Sequence, residues 1–202
     1  RLVQVPPVPP KHGSVHTDPA AAAFADWLRR KGLIDAADTV RMQASTSALG
    51  LERELPGPVG ERNLYALHAR GRILMLPETE AGLITQLGAI LATGNEALID
   101  APEALVKLLS GLPASVRARF TISTDWQAEG PLAAALVEGD AIRVRTVNEK
   151  LAALPGPLVT LHAAHGEDAA KPDGWCLNWL LEEVSTSVNT AAAGGNASLM
   201  SI

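Results

Sequence analysis

The residues of this chain that could do chemistry are carboxylates, histidines and one thiol, most of them at the ends of apolar runs. Asp100 follows the run Ala97 to Ile99, where a carboxylate could take a ribose hydroxyl or a metal ion. Glu138-Gly139-Asp140 follows Ala133 to Val137 and supplies two carboxylates, enough for an acid/base pair. His162 and His165 stand three apart with Glu167 and Asp168 behind them, a sparse version of a metal-ligand cluster. Zinc requires three or four converging ligands held by outer hydrogen bonds, and no second cluster supplies them, so no metal site is expected. Cys176 lies beside Trp175 and Trp179 with no basic residue near it to favour the thiolate, which predicts a buried, inert thiol. The segment Pro56-Gly57-Pro58-Val59-Gly60-Glu61-Arg62-Asn63 is glycine-rich but lacks the GxGxxG or GxxxxGK[ST] spacing of a phosphate cradle, so a structural turn is preferred.

These groups need elements to position them. The stretch Arg72 to Asp100 reads as one strand–helix–strand unit. Ile73 to Leu76 form an apolar run ended by Pro77; Leu83, Leu87, Ile90 and Leu91 recur at helical spacing behind Thr79, a candidate N-cap. Gly94 suits the left-handed end of that helix, and Ala97 to Ile99 resume an extended run. So quick a return favours parallel strands joined by a right-handed crossover, and a parallel pair needs helices on both faces. The alternation continues to residue 163: a helix behind Ala101-Pro102-Glu103 with Leu105, Leu108 and Leu109 inward, strands at Phe120 to Ser123, Ala133 to Val137 and Leu158 to His162, and a helix capped by Asp140 with Val144, Val147, Leu151 and Leu154 inward. The rhythm predicts about four core strands and three crossover helices. In that arrangement Asp100 reads more simply as a helix-start carboxylate with Glu103, and Asp140 as a cap.

Before this unit, residues 1–16 carry four prolines in ten positions and read as a linker or extended entry segment. Thr17-Asp18-Pro19 then gives a cap, an acidic first turn and a Pro near N1 for a helix to about Lys31, with Phe24, Trp27 and Leu28 on one face; residues 35–44 hold a second helix and Ser45 to Leu49 a turn. Leu64 to Leu67 make a strand. Past His165, Trp175 to Leu181 is apolar and Val184 to Val188 alternates as an edge strand does, before a tail rich in Ala, Gly, Ser and Asn. Such an ending suits docking along another protein surface.

Composition closes several classes. The chain has 202 residues, 47% hydrophobic, and no apolar run near the roughly 20 residues of a membrane span, which predicts a soluble chain. A formal charge of -5 argues against general phosphate-backbone binding, with Arg29, Arg30 and Lys31 read as the last turn of a helix. Trp27, Trp126, Trp175 and Trp179 are read as core and interface filler rather than as a base-stacking platform. A single cysteine excludes an internal disulfide framework and suits a reducing compartment. The first residues have no basic region followed by an apolar core, so no signal peptide is expected.

The tail carries a more specific signal. Ser187-Val188-Asn189-Thr190-Ala191-Ala192-Ala193-Gly194-Gly195-Asn196-Ala197-Ser198-Leu199-Met200 resembles the terminal motif of the proline utilization A flavoproteins. Leu55 to Asn63, Gln86 to Asn95 and Glu138-Gly139-Asp140 resemble, in the same order, the extra C-terminal domain of their longer members. The resemblance implies an α/β fold, Rossmann-like, with a mostly parallel sheet and flanking helices plus a C-terminal β-flap and tail. It implies a linker at 1–16, an aldehyde-dehydrogenase-superfamily domain at 17–174, and the flap with its motif at 175–202. The parents join a flavin-dependent proline dehydrogenase to an NAD-dependent glutamate-semialdehyde dehydrogenase, so FAD and NAD belong to the parent and none to this segment. The implied role is a non-catalytic cover over the tunnel between the two sites, with Val188, Asn189, Thr190, Ala191, Ala192, Ala193, Gly194, Gly195, Asn196, Ala197, Ser198, Leu199 and Met200 docking on the dehydrogenase module of the same polypeptide. A cytoplasmic parent follows, with attachment at the inner membrane and assembly as a homo-oligomer left open, and no nucleic-acid contact through this segment.

The aldehyde dehydrogenase pattern is broken residue by residue. Where such enzymes run from ALAxGN to a cofactor-contacting Lys-Pro, this chain has Asn95 to Ile99 and then Asp100-Ala101-Pro102. Their GSTxxG turn is matched only by Gly139-Asp140-Ala141, their general-base Glu by Leu161-His162-Ala163-Ala164, and Cys176 is too near the terminal strand to be the nucleophile. No catalytic, cofactor-binding or metal-binding residue is expected. The alternatives are a diverged NAD-binding dehydrogenase domain or nucleotide sensor, and a plain oligomerisation module paired through Val184 to Val188.

Overall fold

The computed structural model describes residues 18–58 and 60–189. Two helices come first, α1 (Pro19–Arg30) and α2 (Ile34–Thr46). The cap of α1 is Asp18, one residue later than the expected Thr17: its side chain accepts from the amide of Ala20 at 2.7 Å, and Pro19 takes the first helical position, where no amide is needed. α2 runs through Ser45 and Thr46, so the expected turn starts only at Ser47.

Strands β1 (Glu52–Leu55) and β2 (Glu61–Ala69) form an antiparallel hairpin in which Leu55 faces Asn63, so the proline- and glycine-rich segment between them is a hairpin loop. Next come β3 (Arg72–Leu76), α3 (Glu80–Ala92), β4 (Glu96–Ile99), α4 (Glu103–Leu108), α5 (Ala114–Arg117), β5 (Phe120–Ile122), β6 (Ala134–Glu138), α6 (Ala141–Ala152), β7 (Thr160–Ala164), α7 (Glu167–Ala170) and β8 (Leu181–Asn189). Five strands, not four, build the central sheet in the order β5-β4-β3-β6-β7, all parallel. This matches strands 3-2-1-4-5 of the doubly wound nucleotide-binding order 3-2-1-4-5-6, with the strand order reversing between β3 and β6.

Thr79 caps α3 by accepting from the Gly82 amide at 3.0 Å, and Gly94 ends the α3–β4 turn with φ +71°. One face of the sheet packs on α1, α2, α3 and Trp175, the other on α6 with Trp126, Val147 and Leu151. α3 is buried nearly all round because α2 and α1 cover the side it turns away from the sheet. Of the three leucines expected inward at α4, Leu105 and Leu109 pack on the core while Leu108 is exposed. The strand expected from Leu158 begins only at Thr160, which leaves Leu158 93% exposed.

The second sheet, β1-β2-β8, is antiparallel, with Leu181 opposite Ala69 and Asn189 opposite Glu61. β2 is nine residues long where only Leu64 to Leu67 were expected, because its pairing with β8 extends it at both ends. Buried Asn95 pins this sheet to the first: its Oδ1 accepts from Gly71 N at 2.7 Å and its Nδ2 donates to Leu180 O at 2.8 Å. Trp175, 1% exposed, donates from Nε1 to Thr85 Oγ1 at 3.1 Å and anchors the C-terminal segment on α3.

Candidate functional site

In a doubly wound sheet the ligand site lies at the carboxyl ends of the strands, where the order reverses. Here that place is the end of β3 and β6, flanked by the N-termini of α3 and α6. Exposed backbone amides and the positive end of each helix would ordinarily wait there for phosphate.

In this chain the place is filled from within. Glu138, the last residue of β6 and 2% exposed, turns its carboxylate across to α3. Its Oε2 accepts from Glu78 N at 2.7 Å and Thr79 N at 2.9 Å, and its Oε1 from Thr79 Oγ1 at 2.7 Å. Gly82 makes the room: a Cβ there would stand 1.9 Å from Glu138 Oε2. A buried carboxylate is tolerated only when its oxygens are bonded, and this one takes three donors.

The neighbouring helix is occupied too. Asp140 caps α6, accepting from Ile142 N at 3.0 Å and Arg143 N at 2.9 Å. Gly139, at φ +153°, lets Arg143 fold over it, since a Cβ would approach Arg143 Cδ to 2.4 Å, and the guanidinium reaches Glu78 at 3.3 Å. Asp100 sits half-buried at the end of β4; burial pushes its pKa up, while the charges of Arg143 and Lys150 pull it down. α4 starts behind Pro102 with no side-chain capping hydrogen bond, so of the two carboxylates expected at its start Glu103 lies in the first turn and Asp100 stands before it.

The chemistry of this arrangement is repulsive toward the usual ligand. A phosphate charge about 4 Å from Glu138 would cost about 4 kcal/mol at an effective dielectric near 20, close to a thousand-fold in affinity. The amides it would use are already bonded. Glu138 and Asp140, which could have been an acid/base pair, instead serve two different helices.

The other candidates are dispersed. His162 lies half-buried on β7 with its ring 4.5 Å from that of Trp179; burial, and then the charge of Arg70, lower its pKa. His165 is exposed in the turn before α7, and among the described residues no group of three or more His, Cys, Asp or Glu is placed to hold a metal ion. Cys176 is exposed, against expectation, because Trp175 beside it takes the core position and turns the next side chain outward. The four tryptophans separate: Trp126 and Trp175 are core, Trp27 half-buried, and Trp179 57% exposed. Arg29 pairs with Asp38 across α1 and α2 at 2.9 Å. Of the residues expected to dock on a partner surface, Val188 and Asn189 lie in β8 opposite Arg62 and Glu61, while 190–202 lie outside the described residues. No described helix is long and apolar enough to cross a membrane.

What the sequence reading missed is the contact between Glu138 and Thr79. The only local hint is a carboxylate ending a strand beside a Thr-x-x-Gly helix start, which becomes meaningful once β3 and β6 are known to be neighbours.

No family model matches the chain. It is 61% identical over 203 residues to the bifunctional protein PutA of Rhizobium meliloti, which covers all of this chain and 17% of that protein. The PutA proteins of Salmonella typhimurium and Escherichia coli are 43% and 36% identical over 169 and 189 residues, covering 80% and 89% of this chain but 12% and 13% of their own lengths. The chain thus spans less than a fifth of the curated relatives it matches. Among solved structures, a mutant of Bradyrhizobium japonicum proline utilization A superposes with TM-score 0.62 at 22% identity, over 78% of this chain and 20% of that one. A Staphylococcus aureus AldH superposes with TM-score 0.56 at 10% identity, over 74% and 41%. At those identities the likeness is one of fold.

Proposed function

Because this chain is homologous to a segment of the bifunctional PutA proteins, we propose that it is their enzymatically silent, aldehyde-dehydrogenase-like structural domain. In this reading it packs on the glutamate-semialdehyde dehydrogenase module of a cytoplasmic parent and covers the tunnel through which the intermediate passes from the proline dehydrogenase site. FAD and NAD are held elsewhere in that parent. The observation that carries the reading is Glu138, buried on the amides of Glu78 and Thr79 where a dinucleotide's phosphate would need them. A scaffold whose ligand site is closed by its own side chain serves through its surface. Enclosing the tunnel would keep the intermediate away from bulk water and at high local concentration.

The surface proposed for docking is the end of the β1-β2-β8 sheet and the motif that follows it. Val188 is exposed on β8, and β8 stands at the sheet edge, a position from which main chain and small side chains can approach another surface closely. Deleting Asn189 to Ile202 from the full-length parent is expected to lower semialdehyde oxidation and lengthen the lag in coupled NADH formation, with proline oxidation intact. Unchanged coupled kinetics would remove the proposal. Calorimetric titration of the chain with NAD addresses the diverged-dehydrogenase alternative: micromolar binding would favour it.

A further inference from the structure

We propose that the open edge of β7 is a strand-addition site for a second copy of this chain, β7 pairing antiparallel with β7 across a two-fold axis. A sheet edge presents unpaired amides and carbonyls, and soluble proteins blunt it with charge, proline, bulges or shortness. The outermost strands of the two sheets are β1, β8, β5 and β7. The first three are blunted. β1 is Glu52-Arg53-Glu54-Leu55, β8 carries Glu182 and Glu183, and β5 has only three residues. β7 is not: Thr160-Leu161-His162-Ala163-Ala164 holds no Lys, Arg, Asp, Glu or Pro, and Pro155 and Pro157 lie before it. Among the described residues β7 pairs with β6 alone.

The groups that face outward follow from Ala164, whose carbonyl accepts from Gly139 N at 3.1 Å on the β6 side. Alternate residues of a strand direct their backbone groups the same way, so Thr160 and His162 also serve β6. Leu161 and Ala163 therefore turn their amides and carbonyls away from the sheet. A two-fold axis through His162 sets Leu161 of one copy opposite Ala163 of the other, so each outward amide meets an outward carbonyl. No like charges face each other in that register: Thr160 comes opposite Ala164, and Val159 opposite His165. The same operation carries the bare Leu158 to Gly166 of the other copy, where a Cβ would meet nothing within 4 Å. Trp179, exposed with its ring 4.5 Å from that of His162, adds aromatic surface beside the axis. A strand built for a foreign partner carries charges or pockets that select it; β7 has none and is its own complement. The proposal does not rest on the docking of the tail.

The test uses the 202-residue chain, whose core clusters cover both faces of the parallel sheet. Sedimentation equilibrium should find a reversible dimer with Kd on the order of 10 μM, as befits an interface at the small end of the range. A monomer at about ten times that concentration overturns the inference. Ala163→Pro removes only an outward amide, which an edge strand tolerates, and Ala163→Lys places a charge at an exposed edge position. Each should raise Kd at least about tenfold with the far-UV circular dichroism unchanged. A dimer unmoved by both substitutions overturns the inference, and one abolished by Val188→Lys instead would assign the contact to β8. Hydrogen exchange reads the pairing directly: the amides of Leu161 and Ala163 should exchange about tenfold more slowly well above Kd than well below it. Exchange independent of concentration overturns the proposal. None of these outcomes alters the kinetics expected of the tail deletion.

Discussion

Replacing Glu138 tests whether the sheet's carboxyl edge is closed by a tethered anion. Glu138→Ala removes the acceptor of three hydrogen bonds and leaves the amides of Glu78 and Thr79 facing a void at the start of α3. Hydrogen bonds to a charged acceptor contribute about 1.5–3 kcal/mol each, and water entering the space returns part of that. The net loss should be about 3 kcal/mol, or about 6–12 °C in melting temperature for a domain of this size. Glu138→Gln is the sharper variant. Its amide keeps the shape, its oxygen can still accept from both backbone amides, and its NH2 can donate to Thr79 Oγ1. The charge is lost and the Thr79 hydroxyl must turn from donor to acceptor, so the cost should be about half that of the alanine variant. Urea denaturation of the two variants beside the parent at pH 7 gives both numbers. If Gln matched the parent in stability, or Ala cost less than about 1 kcal/mol, the reasoning from a held carboxylate would be refuted.

Gly82→Ala pushes a methyl group into the same carboxylate and should destabilise the chain, yet in a Glu138→Ala background it should cost much less; additive losses would show that the two do not meet as the 1.9 Å approach requires. His162 has a pKa lowered by burial and then by Arg70, so its folded form holds the proton less tightly than the unfolded chain does. Stability is then fully present above the ordinary value of about 6.5 and falls as pH drops through it toward the folded value. Urea midpoints between pH 7.5 and 5.5 should decline, and His162→Phe should flatten that part of the decline; an identical slope in the variant refutes the assignment.

The segments that fold by local rules were readable from the residues alone. Asp140 and Thr79 were legible as caps because a capping side chain bonds an amide two or three positions away, and the order of residues supplies both partners. Gly94 was legible for the same kind of reason, a backbone angle that side chains resist. The parallel sheet followed from apolar runs alternating with helical periods. Where the expectations failed, the deciding partner was far along the chain or the element's end was set by packing. Cys176 turns out because Trp175 turns in, and Leu158 is bare because β7 starts late.

The sequence by itself determined that this chain alternates strands and helices into a mostly parallel sheet. Only the tertiary structure decided what stands at the carboxyl ends of those strands. Glu138 and Glu78 are 60 residues apart, and nothing in either neighbourhood specifies the other. Their meeting follows from β6 lying beside β3, a pairing chosen by the burial of whole strands, so the closure of the site belongs to the assembled sheet and to no single stretch of chain.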